Sequence, residues 1–302
     1  VMAQKTATGV RCAWGWNDAP RICQNASTSH SPGGGNDVLG WFRRKSLLGD
    51  ELSAWQFDCC QWLLRHTGGF PALRESPMVQ PTPRFFPDRG LRGTAMADAI
   101  FARVKGYAGM GTWPCKLHMQ EDDPDAKVGP TLLVQNTPHS PAGTFRKADA
   151  GALITYHPRQ LDDPMSLVAT FAHELAHYLT GGATEPPPGG WEVWEHATDM
   201  GAVFLGFGIF MANSRFNFSQ YTDGQVMGWK WRQQGYVSEP EILHMHAIRC
   251  ALLGTPPRET LAYLKPSLRG IFKRVLADVQ RQNHVLQELR GVAPLMAEVA
   301  HA

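Results

Sequence analysis

FAHELAHYLTGG, residues 171–182, closes a segment in which every local signal is helical. Asp163 stands where an N-cap accepts the first free N–H groups, and Pro164 suits the first turn. Leu167, Phe171, Leu175 and Tyr178 recur as an apolar stripe, and the pair Gly181 and Gly182 ends the helix. At 3.6 residues per turn, His173 and His177 stand one above the other and can send both imidazoles to a single ion. Glu174 lies about 100° round the helix from His173. From there it can touch a water on the ion without ligating the ion. An H-E-x-x-H match arises by accident about 0.02 times in a chain of this composition. The competing reading is a polar helix face bearing ordinary histidines.

A zinc site that keeps an open position takes three protein donors, so a third must lie elsewhere in the chain. The Gly- and Pro-rich stretch GGATEPPPGG (181–190) reverses the chain, and a second helix is expected from Trp191 onward, WEVWEHATDMGAVFLGFGIF. Glu195 and Asp199 are four apart and share one face of it. Met200 to Ala212 supplies an apolar body that buries it. A carboxylate beside such a segment is costly unless it is paired or binds a metal. Glu195 is therefore the third ligand, and Asp199 the carboxylate that accepts the other ring N–H of His173. Glu192 competes for the third place, but His196 and no acid stands four residues beyond it. His196 itself points about 100° away from Glu195 and reads as a surface or core histidine. Two histidines and one carboxylate suit zinc, and the same set in another geometry serves non-haem iron.

H-E-x-x-H followed, after a reversal, by E-x-x-x-D on a second helix resembles the gluzincin branch of the zincin metallopeptidases, over roughly residues 95–212. The spacer 178–194 is compact and closer to the small members. The resemblance implies that His173, His177 and Glu195 bind zinc, that Glu174 is the general base and that Asp199 orients His173. It also implies that GALITYH (151–157) is the sheet-edge strand along which a peptide substrate lies. The metzincin branch has a third histidine six residues after His177, and Ala183 excludes it. The expected function is that of a zinc-dependent metallohydrolase, a peptidase whose water is activated by zinc and Glu174 to attack a carbonyl of a peptide or protein substrate. The alternative is a gluzincin-like binding or regulatory module with a structural metal and little peptidase activity. Oxyanion stabilisation commonly takes a Tyr or His besides the metal. Tyr221, Tyr236, His244 and His246 lie downstream, and the sequence does not choose among them. His244 and His246, two apart, face away from each other on a helix.

Around this core the chain reads as α+β, with segregated elements. Gln24 to Asp37 is a polar loop or linker, and what precedes it an arm. Leu52, Trp55, Cys59, Trp62 and His66 mark one amphipathic helix from Glu51, stopped by Gly68 and Gly69. Prolines 71, 77, 81, 83 and 87 then exclude regular helix as far as Arg92 and favour an extended surface connection. A second helix, with Thr94 as its cap, carries Met96, Ile100, Val104 and Tyr107. Three strands follow, near 112–119, 131–135 and 151–157. Beyond Leu161 the text is helical, with breaks at 181–190, 216–224, 238–240 and 254–257, and one solvated helix spans Ser267 to about Leu289. The expected organisation is an N-terminal arm, helix and Pro-rich segment over 1–93, a zincin-like core over 94–212, and a helical region over 213–302 packing on that core.

Composition narrows the partners. The 29 basic and 27 acidic side chains leave a net charge of +2 with no dense Lys/Arg block, which speaks against nucleic acid. The longest apolar run is too short for a membrane span of about 20 residues. The six cysteines show no C-x-x-C spacing and suit reduced thiols in a cytoplasmic protein; no secretory signal is visible, although a chain beginning with Val leaves a removed leader open. A Cys12–Cys23 bridge, or a vicinal one between Cys59 and Cys60, is the rival to buried thiols. The ten tryptophans, several paired as WGW, WEVW and WKW, could form a carbohydrate platform, but at helical spacing they are read as core.

Overall fold

A helix whose apolar stripe nearly encircles it must be covered on several sides, and the segment at 164–180 is covered by a sheet and three helices. The computed structural model describes residues 46–121, 126–129, 132–134, 142–148, 151–218 and 237–295. The helices are α1 (Asp50–His66), α2 (Gly69–Glu75), α3 (Gly93–Tyr107), α4 (Pro164–Thr180), α5 (Trp194–Ala202), α6 (Gly208–Phe218), α7 (Glu239–Leu253), α8 (Pro257–Leu261), α9 (Pro266–Gln280) and α10 (Asn283–Arg290). The strands are β1 (Cys115–Met119), β2 (Ala126–Gly129), β3 (Leu132–Val134), β4 (Gly143–Ala148) and β5 (Gly151–Tyr156). The protein is α+β, with a small mixed sheet and a mainly helical C-terminal part.

The sheet has the order β1-β5-β4, β1 parallel and β4 antiparallel to β5, while β2 and β3 form a separate two-stranded ribbon. This corrects the expectation for GALITYH. It is the central strand, both its edges are occupied, and among the described residues the edge strands are β1 and β4, the latter with Phe145 opposite Ile154 and Gly143 opposite Tyr156. The inward residues of β5, Ala152, Ile154 and Tyr156, are buried. Tyr156 meets Phe171 of α4 edge-to-face at 5.7 Å, and Phe101 of α3 meets the same ring at 5.2 Å. Leu167, Val168, Ala172, Leu175 and Ala176 complete the buried surface of α4. Asp163 caps the helix as expected, accepting from the Ser166 N–H at 3.2 Å and from its hydroxyl at 2.6 Å.

The Pro-rich stretch departs from its reading as an extended surface connection. Gly68 and Gly69 both take left-handed φ, yet α2 begins at once and contains Pro71. A proline in a first turn costs little, because its missing N–H has no partner there in any helix. Val79, Phe85 and Phe86 downstream are buried. Thr94 does not cap α3: Arg92 holds that position without a side-chain bond. The expected single helix over 200–212 is interrupted by a wide turn at Val203–Phe207, where Gly206 has φ 105°. A Cβ there would sit 2.1 Å from the Pro77 carbonyl oxygen. Buried Arg249 of α7 spans the junction, its Nε donating to the Phe204 carbonyl at 3.0 Å and its Nη2 to those of Ser76 at 2.8 Å and Pro77 at 3.1 Å. The last expected helix is two, α9 and α10, divided at Arg281 and Gln282.

One continuous apolar core runs from Leu48 before α1 through α3, α4 and α7 to Leu289 in α10. Cys59, Cys60, Cys115 and Cys250 are free thiols, so the vicinal bridge is not formed. No helix among the described residues is long and apolar enough to cross a membrane. The linker at 24–37, Cys12, Cys23, the WGW and WKW pairs, Tyr221 and Tyr236 lie outside the described residues.

Candidate metal centre

The chain reversal at 181–190 lays α5 across α4 so that Glu195 faces the two histidines. His173 Nε2 and His177 Nε2 are 3.0 Å apart, and Glu195 Oε2 lies 3.3 Å from the second and 3.7 Å from the first. Donors on a tetrahedral ion with bonds of about 2.0–2.2 Å stand roughly 3.3–3.6 Å from one another. The three atoms therefore make a triangle of the size a zinc ion takes, and the donor set of two imidazoles and one carboxylate fits it chemically. Among the described residues this is the cluster of His, Cys, Asp and Glu that could hold a metal. Glu192 is not in it; its carboxylate folds back towards Gly190.

Both histidines are held from behind. His173 Nδ1 donates to Asp199 Oδ1 at 2.8 Å, the contact expected from the spacing of Glu195 and Asp199. His177 Nδ1 lies 3.4 Å from the hydroxyl of Thr198, which is fully buried. Trp194 meets the His177 ring edge-to-face at 4.9 Å while its Nε1–H donates to Thr180 Oγ1 at 3.0 Å. Phe145 of β4 stacks on the other side at 6.2 Å, nearly parallel. Glu195 keeps 65% of its side chain exposed, so the centre opens to solvent on that side.

Charges follow from this packing. Burial depresses His173, but the hydrogen bond and charge of Asp199, with Glu174 and Glu195 adding, push it up to about 9. Burial raises the Glu174 carboxyl to about 7, against the pull of His173 and with the charges of Glu195 and Asp199 adding to the rise. Burial also lowers His177. Glu195 is drawn below the usual carboxylate range: burial would raise it, and its hydrogen bond with His177 and the charges of His177 and His173 outweigh that.

Glu174 lies beside the triangle with 4% of its surface exposed, under the edge strand. Gly143 makes that contact possible: a Cβ there would sit 2.5 Å from the Thr170 methyl, 2.9 Å from Glu174 Oε1 and 2.9 Å from the Thr155 carbonyl oxygen.

The structure thus brings together His173, Glu174, His177, Glu195 and Asp199. It does not bring His244 or His246 to them. His244 Nδ1 pairs with Gln56 Oε1 at 2.8 Å and Nε2 with Ser53 Oγ at 3.1 Å, while His246 Nε2 pairs with Thr260 Oγ1 at 2.9 Å. The two face apart as their spacing implies, and both are engaged away from the cluster. Thr198, Trp194, Phe145 and Gly143 were not picked out by sequence. Of these only Trp194, one residue before Glu195, carried a signal, as a large side chain in the turn that bears the ligand. No family model, no curated protein and no solved structure matches this chain.

Proposed function

We propose that this protein is a zinc-dependent hydrolase acting on peptide bonds, a gluzincin-like metallopeptidase with His173, His177 and Glu195 as ligands. The observation that carries the reading is the triangle of Nε2, Nε2 and Oε2 at 3.0, 3.3 and 3.7 Å with a buried carboxyl beside it. Zinc held there supplies Lewis acidity, acidifying water and polarising a carbonyl. Glu174 takes the proton from the attacking water and returns it to the leaving amine. The Glu174 carboxyl is buried beside the triangle, and that burial favours its protonated form, so it is placed to hold the proton between the two transfers. Asp199 holds His173 with Nδ1 protonated and Nε2 turned to the ion. The edge of β4 offers backbone N–H and C=O groups to an extended peptide, which can add to the sheet as a further strand. Gly143 lets that strand lie directly over Glu174.

The test is cleavage of a broad peptide library by the zinc-loaded chain, with and without chelator, and by Glu174→Gln. Chelator-sensitive cleavage is expected, with Glu174→Gln slower by on the order of 10²–10⁴-fold at undiminished zinc content. Full activity in Glu174→Gln, or no cleavage of any peptide by zinc-loaded wild type, contradicts the proposal.

A further inference from the structure

His173 has a carboxylate behind it, and His177 has none. What His177 has is an enclosure: Phe145 stacked on one side, the Trp194 ring against it on another, and the buried Thr198 hydroxyl 3.4 Å from Nδ1. Thr198 and Asp199 are consecutive on α5, one turn beyond Glu195, so a single helix turn carries the third ligand and the groups behind both others. We propose that Thr198 is a positioning residue of the metal centre: its hydroxyl accepts the Nδ1–H of His177 and so commits Nε2 to the ion. The inference rests on the metal site proposed above and assigns it a further residue.

The chemistry is that of tautomers. A neutral imidazole carries one proton, and a ring that ligates through Nε2 must keep it on Nδ1. An acceptor at Nδ1 stabilises that form, and a hydroxyl has lone pairs to offer. Without the acceptor, the buried Nδ1–H of the zinc-bound ring is unsatisfied, at a penalty met only when metal is bound. In the metal-free protein the ring can carry its proton on Nε2 instead, where Glu195 Oε2 stands 3.3 Å away. Loss of the hydroxyl therefore weakens metal binding while leaving the metal-free fold nearly unaffected, which a merely structural role does not do. Phe145 and Trp194 hold the plane of the ring in place, so that its tautomer is the property left for Thr198 to set.

The experiment is zinc affinity by chelator competition on the full chain for wild type, Thr198→Val and Thr198→Ser, with thermal melts of the metal-stripped proteins. Valine keeps the shape and removes the acceptor, whereas serine keeps the acceptor and removes a methyl. Thr198→Val is expected to bind zinc about tenfold or more weakly with its metal-free melt little changed, and Thr198→Ser to stay within about threefold of wild type. Equal affinity in wild type and Thr198→Val overturns the proposal, as does an equal loss in both variants. Should Thr198→Val fail to fold, Thr198→Ala is compared with Thr198→Ser instead: weaker zinc binding in the alanine variant alone upholds the proposal, and equal affinity in the two overturns it. A wild type that binds no zinc removes the metal reading itself, a result distinct from wild type and variants binding alike.

Discussion

Gly143 is the residue at which the smallest change has the clearest consequence. The three atoms that an added methyl would meet are a packed threonine methyl, a carboxylate oxygen of Glu174 and a backbone carbonyl in the central strand, and the first and last have little room to withdraw. Overpacking of this kind costs about 1–3 kcal/mol, so Gly143→Ala is expected to lower the melting temperature and, by displacing Glu174, to slow hydrolysis while zinc content stays at the wild-type level. An unchanged melt and rate would show that β4 does not bear on the carboxyl. Nothing in the sequence marks this glycine, because its requirement comes from residues 12, 27 and 31 positions further along the chain. His173, Glu174, His177, Glu195 and Asp199 were legible for the opposite reason. Helical periodicity relates each to its neighbours on the same helix, and the cost of burying a carboxylate ties the second helix to the first. Thr198 and Phe145 act across helices and strands, and no spacing announces them.

At the scale of elements, the position of Glu195 depends on a loop that α1 holds down. Trp55 Nε1–H donates to the Pro188 carbonyl at 2.7 Å and Trp62 Nε1–H to that of Glu185 at 3.2 Å, and Arg65 pairs with the Glu185 carboxylate at 3.4 Å. Trp62 is core as its spacing implies and Trp55 is partly buried, and both also fix the 181–190 reversal from which α5 starts; Trp191, exposed just before α5, departs from the core reading. Each hydrogen bond contributes about 1 kcal/mol. The double variant Trp55→Phe, Trp62→Phe should therefore lose several-fold in zinc affinity through a less constrained α5. Zinc titration gives the answer, and an unchanged affinity would detach α1 from the metal centre. The α4 helix was readable to its cap because its signals are local. β4 was not, since GTFRKA lacks the apolar alternation of a strand and takes its place only through β5. The turn at Val203–Phe207 was equally hidden: the Phe204 carbonyl it frees accepts from Arg249, more than forty residues away, and the Gly206 carbonyl from the Val79 N–H.

Across the whole molecule, α7 carries two buried histidines that are neutral in the fold. Burial holds His244 down at about 4 against the charge of Asp278, and burial together with the charge of Arg249 holds His246 at about 3. Unfolded, each titrates near 6.5. Their depressed values mean that the unfolded chain takes up protons first, so the stability at stake is whole above about pH 6.5 and is lost as pH falls towards 4. The loss amounts to about 2 kcal/mol per histidine at pH 5. Melts of the metal-free chain at pH 7.5 and 5 should show it, with a shallower drop in His244→Asn and His246→Gln, which each keep one hydrogen-bonding nitrogen. Identical pH dependence in wild type and both variants would mean that α7 is hydrated in the fold. The fold class was evident from the order of elements, helix, strands and then helices, whereas the continuity of the core from Leu48 to Leu289 was not, because it is made by contacts of α1 with α7 and α10. The central claim is that three donors from two helices hold one zinc. The most direct measurement is elemental analysis of wild type and Glu195→Ala purified without added metal. The account predicts about one zinc per chain in wild type, and its loss or sharp reduction in the variant. Wild type that carries no metal and takes up none when zinc is supplied would contradict it.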